Sequence, residues 1–123
     1  MGIKILVILR FIQQHWKLFT LCILLAITLL SLLPIQTLPK VEGSDKSHHL
    51  IAYFFLALPL GLRKPKKSAL FVCLFIIFGG LIEIIQPYMN RHNEWLDFFA
   101  SSTGVIFGFY VGVILKVKLS INQ

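Results

Sequence analysis

Four stretches of the chain, residues 18–33, 50–62, 68–82 and 98–115, contain no charged side chain, and each is bounded by Pro, Gly or charge. A helix needs about 20 residues to cross a hydrocarbon core of about 30 Å. The first and last stretches reach that length when extended to Trp16 and Trp95, both suited as interfacial anchors. The second is too short by itself, because 13 residues rise only about 20 Å. Crossing therefore draws in the residues before it, back to Asp45, Lys46, His48 and His49. The third, extended to Tyr88, carries Glu83 and Gln86 near its outer end. The pattern predicts helices over about 16–33, 45–62, 68–88 and 95–115.

Composition narrows the class. Hydrophobic residues make up 57% and charged residues 14%, against about 45–50% and 25% in soluble domains. The mean hydropathy of +0.82 agrees. An ordinary soluble globule and a disordered chain are both excluded. The expected fold is an all-α integral membrane protein, one domain over residues 1–123, with four transmembrane helices in a short antiparallel bundle.

The net charge of +7 is unevenly placed. Nine of the twelve basic residues (Lys4, Arg10, Lys17, Arg63, Lys64, Lys66, Lys67, Lys116 and Lys118) flank one side of the predicted spans, without an acid among them. The positive-inside rule makes that side cytoplasmic, with both termini inside. The other side holds Lys40, Lys46 and Arg91 with all five acids: Glu42, Asp45, Glu83, Glu94 and Asp97. The basic residues flank apolar helices rather than forming a stripe on a folded surface, so nucleic acid is not an expected partner. Residues 2–17, apolar but broken by Lys4 and Arg10, fit either an amphipathic helix on the inner surface or an extension of the first span. With Pro34 ending the first apolar stretch and no small-residue cleavage motif nearby, an uncleaved first span is expected. Cys22 and Cys73 read as packing residues rather than a disulfide or zinc pair.

Three polar clusters fall on the outer side. Asp45, His49 and Tyr53 are spaced i, i+4 and i+8 and form one stripe on an apolar helix, which must face protein or water. Capping accounts for Asp45 but not for His49. Glu83 and Gln86, i and i+3, end the third helix ahead of Pro87. A short carboxylate there favours a partner such as Arg91, Lys46 or a histidine. The third cluster runs from Arg91 into the last helix, where Asp97, Ser101, Gly104, Gly108 and Gly112 follow near-helical spacing. The glycines read as a packing face, and Asp97 as a cap whose stripe points inward.

Together, Asp45-Lys46-x-x-His49-x-x-x-Tyr53, Glu83-x-x-Gln86, and Arg91 ahead of Asp97-x-x-Ala100 with Gly104 and Gly108 resemble the VanZ-like family of small bacterial membrane proteins. The resemblance covers about half the chain, residues 45–108. Ser101 departs from it, standing where the family pattern has Asn and lacking the paired donor and acceptor of an amide. The family takes its name from a member associated with low-level resistance to the glycopeptide teicoplanin. The resemblance thus implies a multi-pass protein of the bacterial cytoplasmic (inner) membrane, a role at the cell envelope and glycopeptide resistance, and a single site built from the matched residues.

The expected binding residues are Asp45, Lys46, His49, Tyr53, Glu83, Gln86, Arg91 and Asp97. Their expected ligand is the headgroup of a lipid or lipid-linked envelope precursor, with Lys46 and Arg91 on phosphate. An alternative is an intramembrane enzyme with His49 as general base, Asp45 orienting it and Glu83 as acid, although no nucleophile motif accompanies them. A small homo-oligomeric transporter is a further alternative, since four short helices hardly enclose a cavity alone. No cofactor is implied. A divalent-metal version of the enzyme using His48, His49, Glu83 or Asp97 is a further alternative, but no metal site is expected, because His48 and His49 are adjacent and point apart on a helix.

Overall fold

The computed structural model describes residues 2–33, 45–89 and 95–121, and for Asp45, Lys46 and Met89 the backbone alone. All the regular structure in them is helical: α1 (Ile3–Gln14), α2 (Trp16–Leu32), α3 (Asp45–Arg63), α4 (Ser68–Ile85) and α5 (Trp95–Ile121), with a 3-10 turn over Gln86–Met89 after α4. The bounds follow the expected ones closely. α4 gives way to the tighter turn as Pro87 approaches, whose ring cannot continue the helical ladder. α5 runs beyond the expected end to Ile121, carrying Lys116 and Lys118 past the apolar stretch.

Two helices are long and apolar enough to cross a membrane: Ser68–Tyr88, counting the 3-10 turn, and Trp95–Ile121. A third crossing exists if α1 and α2 count as one broken span. Burial supports this class of protein. α4 turns Leu70, Leu74, Ile77, Leu81 and Ile84 outward along one face. In water that stripe would be the buried face. Here it faces away from the protein, as a lipid-contacting surface does.

α3 is the enclosed helix. Leu56, Ala57, Leu60 and Leu62 have no exposed surface, and α3 packs against each of the other four helices. The main core joins Trp16 and Ile27 of α2, Tyr53, Leu56, Ala57 and Leu60 of α3, Phe75 of α4 and Val105 of α5. A second cluster, Leu9, Leu62 and Leu119, ties α1 to the ends of α3 and α5.

The tightest packing joins α3 and α5. A side-chain carbon on Gly104 would sit 2.5 Å from the Leu50 carbonyl oxygen, and one on Gly112 would sit 2.5 Å from that of Leu58. One on Gly108 would collide with the Phe54 carbonyl, and one on Gly61 with the Phe109 carbonyl. The pairs 50 with 104, 54 with 108 and 58 with 112 advance together, so these two helices run parallel. The expected antiparallel bundle therefore has a parallel pair as its tightest contact. α4 is the antiparallel return between them.

α1 does not extend α2 as a straight rod, since the two meet at an angle of 81°. The bend lies at His15, whose backbone N–H donates to the Phe11 carbonyl, with ring Nδ1 3.1 Å from the same oxygen. Gln13 Nε2 donates to the Leu62 carbonyl at 2.7 Å and pins α1 to the end of α3.

Two expectations are corrected. Trp16 is 9% exposed against 72% for Trp95, and its ring stands edge-on to Phe71 at 5.6 Å. It is a core residue, and only Trp95 has the exposure of an anchor. Cys22 and Cys73 are free thiols on the exposed surface, not packing residues, because both fall on the outward faces of their helices.

Candidate functional site

At the end of the bundle formed by the start of α3, the end of α4 and the start of α5, polar side chains from the three helices meet. His49 projects from α3, Glu83 from α4 and Asp97 from α5, and one ligand-capable atom of each lies within 4.8 Å of the other two. His49 Nδ1 is 3.0 Å from Ser101 Oγ and 4.0 Å from Glu83 Oε1. Glu83 and Asp97 are 4% and 5% exposed. Burying a carboxylate is expensive unless its charge is compensated, and both make further interactions.

The stripe predicted on α3 exists as far as it is described. The rings of His49 and Tyr53 are parallel within 6°, with centroids 6.3 Å apart. Tyr53 is 1% exposed; Ser101 is its side-chain hydrogen-bonding neighbour and the Glu83 carboxylate lies near. Gly79 lies against this contact, where a side-chain carbon would stand at ordinary van der Waals distance, 3.4 Å, from both Ser101 Cβ and Tyr53 Cε1.

Gln86 is also buried and plays a different part. Its Nε2 donates to the Ser31 carbonyl at 3.2 Å, in the last turn of α2, where no further helical N–H reaches that oxygen. Gln86 thus fastens the end of α2 to the polar end of the bundle. Its own Oε1 is buried without a partner.

Of the eight expected binding residues, His49, Tyr53, Glu83 and Asp97 converge, and Gln86 borders them. Asp45 and Lys46 begin α3, but their side chains lie outside the described residues, as does Arg91. The expected orientation of His49 by Asp45 lies outside them for the same reason. Ser101 belongs to the cluster and was not among the expected binding residues. Its signal was its place one turn after Asp97 on the face that also carries the glycines. The expectation of no metal-ligand set rested on the spacing of His48 and His49 within one helix. The structure instead groups three potential ligands from three helices.

The described apolar groove is elsewhere. It has a volume of about 360 Å³ and is lined by Trp16, Thr20, Leu24, Phe71, Phe75 and Phe78 among others, with none of the polar cluster. The fold and its apolar exterior thus define a helical membrane protein with a buried polar cluster at one end. Comparison with family models, curated proteins and solved structures finds no match to this chain.

Proposed function

We propose that this chain is a four-span protein of the bacterial inner membrane, with both termini cytoplasmic, whose polar cluster binds the headgroup of a membrane-resident molecule at the outer face. The convergence of His49, Glu83, Asp97 and Ser101 beside the buried Tyr53 carries this reading. Polar groups in a membrane helix are costly and mark sites of binding or transport.

The orientation rests on charge. Lys17, Arg63, Lys64, Lys66, Lys67, Lys116 and Lys118 lie at the end opposite the cluster, near the starts of α2 and α4 and the ends of α3 and α5. That asymmetry fits a cytoplasmic side. α3 then supplies the fourth crossing as a helix shielded by its neighbours. The order and spacing of the polar motifs support the VanZ-like reading, and with it an envelope role bearing on glycopeptide resistance. A lipid-linked cell-wall precursor fits such a site, with Lys46 and Arg91 as phosphate contacts.

The test is the lipid retained by the purified protein, identified by native mass spectrometry. Glu83→Gln, Lys46→Ala and Arg91→Ala are each expected to abolish retention of a specific species. The lipid-face change Leu74→Ala is expected to leave it unchanged. Equal retention by all four variants would refute the reading.

A second reading is favoured by one contact. The 3.0 Å approach of His49 Nδ1 to Ser101 Oγ places a base beside a hydroxyl, the first requirement for an activated serine. The same nitrogen also faces Glu83, so the carboxylate does not orient the ring from its far side as in a Ser-His-Asp relay. Trapping of a covalent adduct on Ser101 by a lipophilic fluorophosphonate, lost in His49→Ala, would establish the enzymatic reading over simple binding.

A further inference from the structure

We propose that the apolar groove between α2 and α4 is a site for one anionic phospholipid, with an acyl chain in the groove and the headgroup phosphate on Lys17. The site lies at the end of the bundle opposite the polar cluster and does not depend on what that cluster binds.

The groove follows from how the helices pack. α2 packs mainly on α3 and α4 mainly on α5, so α2 and α4 touch each other little. Near their starts Trp16 closes the gap by standing edge-on to Phe71. The space beyond, about 360 Å³, runs from these two rings to Leu24 and Phe78. At about 1.5 Å per residue that is a length of about 11 Å along the helices, the direction in which lipid chains also lie.

Apolarity alone selects no occupant here. A chain that leaves the bilayer for the groove exchanges one apolar surrounding for another, so a lasting occupant is chosen by its headgroup. The charge at the mouth is positive. Lys17 lines the groove, and its Nζ stands 5.8 Å from the centre of the Trp16 ring, a cation–π contact that holds the ammonium at the mouth. Lys66 and Lys67 directly precede α4. Neither α2 nor α4 has an acid in its first turn or a side-chain cap at its start, so the positive ends of two helix dipoles add to the lysines. Basic pockets between membrane helices hold anionic headgroups.

A polar group within the groove fits the same occupant. Thr20, about 4.5 Å below Lys17 along α2, is 8% exposed, and its Oγ1 has no hydrogen-bond partner among the described residues. The ester oxygens of a phospholipid lie just below its phosphate, at the depth where this hydroxyl lacks an acceptor. A second copy of the chain presenting an apolar helix would supply none.

Trp16 reports on the groove directly. The chain has two tryptophans, so Trp95→Phe leaves Trp16 as the single fluorophore. The full chain carrying that change is reconstituted into phosphatidylcholine vesicles with a minor share of phosphatidylglycerol. Bromine is carried on the acyl chains of one lipid at a time, and the quenching of Trp16 measures the preference for each. Brominated phosphatidylglycerol is expected to quench well above its share of the bilayer. Lys17→Gln is expected to reduce that preference about fivefold and Lys17→Arg to keep it. Leu21→Phe with Leu24→Phe, which fill the groove, should abolish it, with folding checked by circular dichroism. Quenching that follows bulk lipid composition would overturn the proposal. An equal loss in Lys116→Gln, at the same end but away from the groove, would also overturn it, by showing a diffuse attraction to the basic end. Quenching by neither lipid in a chain that runs as a dimer would do the same, by placing a second copy in the groove. The two lipid sites fail separately. Glu83→Gln is expected to leave the phosphatidylglycerol preference intact, and Lys17→Gln to leave the Glu83-dependent retention intact.

Discussion

One face of α5 contains two regions of opposite character. Toward its C-terminal end, Gly104, Gly108 and Gly112 press on the α3 backbone with no room for a single added carbon. Toward its start, Asp97 and Ser101 reach a polar cluster with His49, Tyr53 and Glu83. The glycine seam is complete within the protein and holds the two helices in register. The polar end instead gathers side chains of three helices, His49, Glu83, Asp97 and Ser101, around buried Tyr53. The seam positions the cluster, because fixing α3 against α5 fixes His49 against Asp97 and Ser101.

The difference is measurable. The largest effect is expected from Gly108→Leu, which forces a side chain into the Phe54 carbonyl. Backbone cannot yield there as a flexible side chain would, so no folded protein is expected on size-exclusion chromatography. Gly104→Ala and Gly112→Ala should fold with a loss of about 1–3 kcal/mol, the usual cost of overpacking, seen in a detergent unfolding titration. In the polar region the expected loss is of binding rather than of folding. Glu83→Gln with Asp97→Asn, which keep shape and hydrogen-bonding atoms, are expected to cost less stability than the glycine changes, while ligand binding disappears. Destabilisation equal to that of the glycine changes would make the cluster a structural feature and erase the contrast.

Gln86→Leu falls between the two regions. It removes the hydrogen bond to the Ser31 carbonyl and should cost about 1 kcal/mol, with α2 becoming more susceptible to proteolysis at its end. The smallest effects belong to the outer surface. Cys22→Ala and Cys73→Ala should change stability by less than about 0.5 kcal/mol.

Much of the architecture was legible one helix at a time. The 45–62 and 68–88 expectations lie close to Asp45–Arg63 and Ser68–Tyr88, because charge, Pro and Gly punctuate the chain wherever an apolar helix must stop. The glycine stripe on α5 was legible too, because four-residue spacing of small residues signals close approach from either side. Its counterpart Gly61 was not, as a lone glycine carries no period. Of the candidate site, His49 with Tyr53 and Glu83 with Gln86 were visible as polar positions inside apolar helices. The role of Ser101 was not, because a single hydroxyl on a packing face becomes informative only when a histidine from another helix lies 3.0 Å away.

The sequence by itself determined that the chain is helical and apolar enough for membrane crossing, where its helices begin and end, and that its charges separate to two ends. Tertiary structure alone decided that α3 is the enclosed helix, that α3 and α5 are the close parallel pair, that Trp16 is buried and the cysteines are not, and that polar side chains from three helices share one small volume. The physical reason is the solvent. In water a buried helix face betrays itself by contrast with a polar exposed one, but a chain surrounded by lipid is apolar inside and out. Only its small and polar residues mark which faces turn inward, and what those faces meet depends on the packing of other helices.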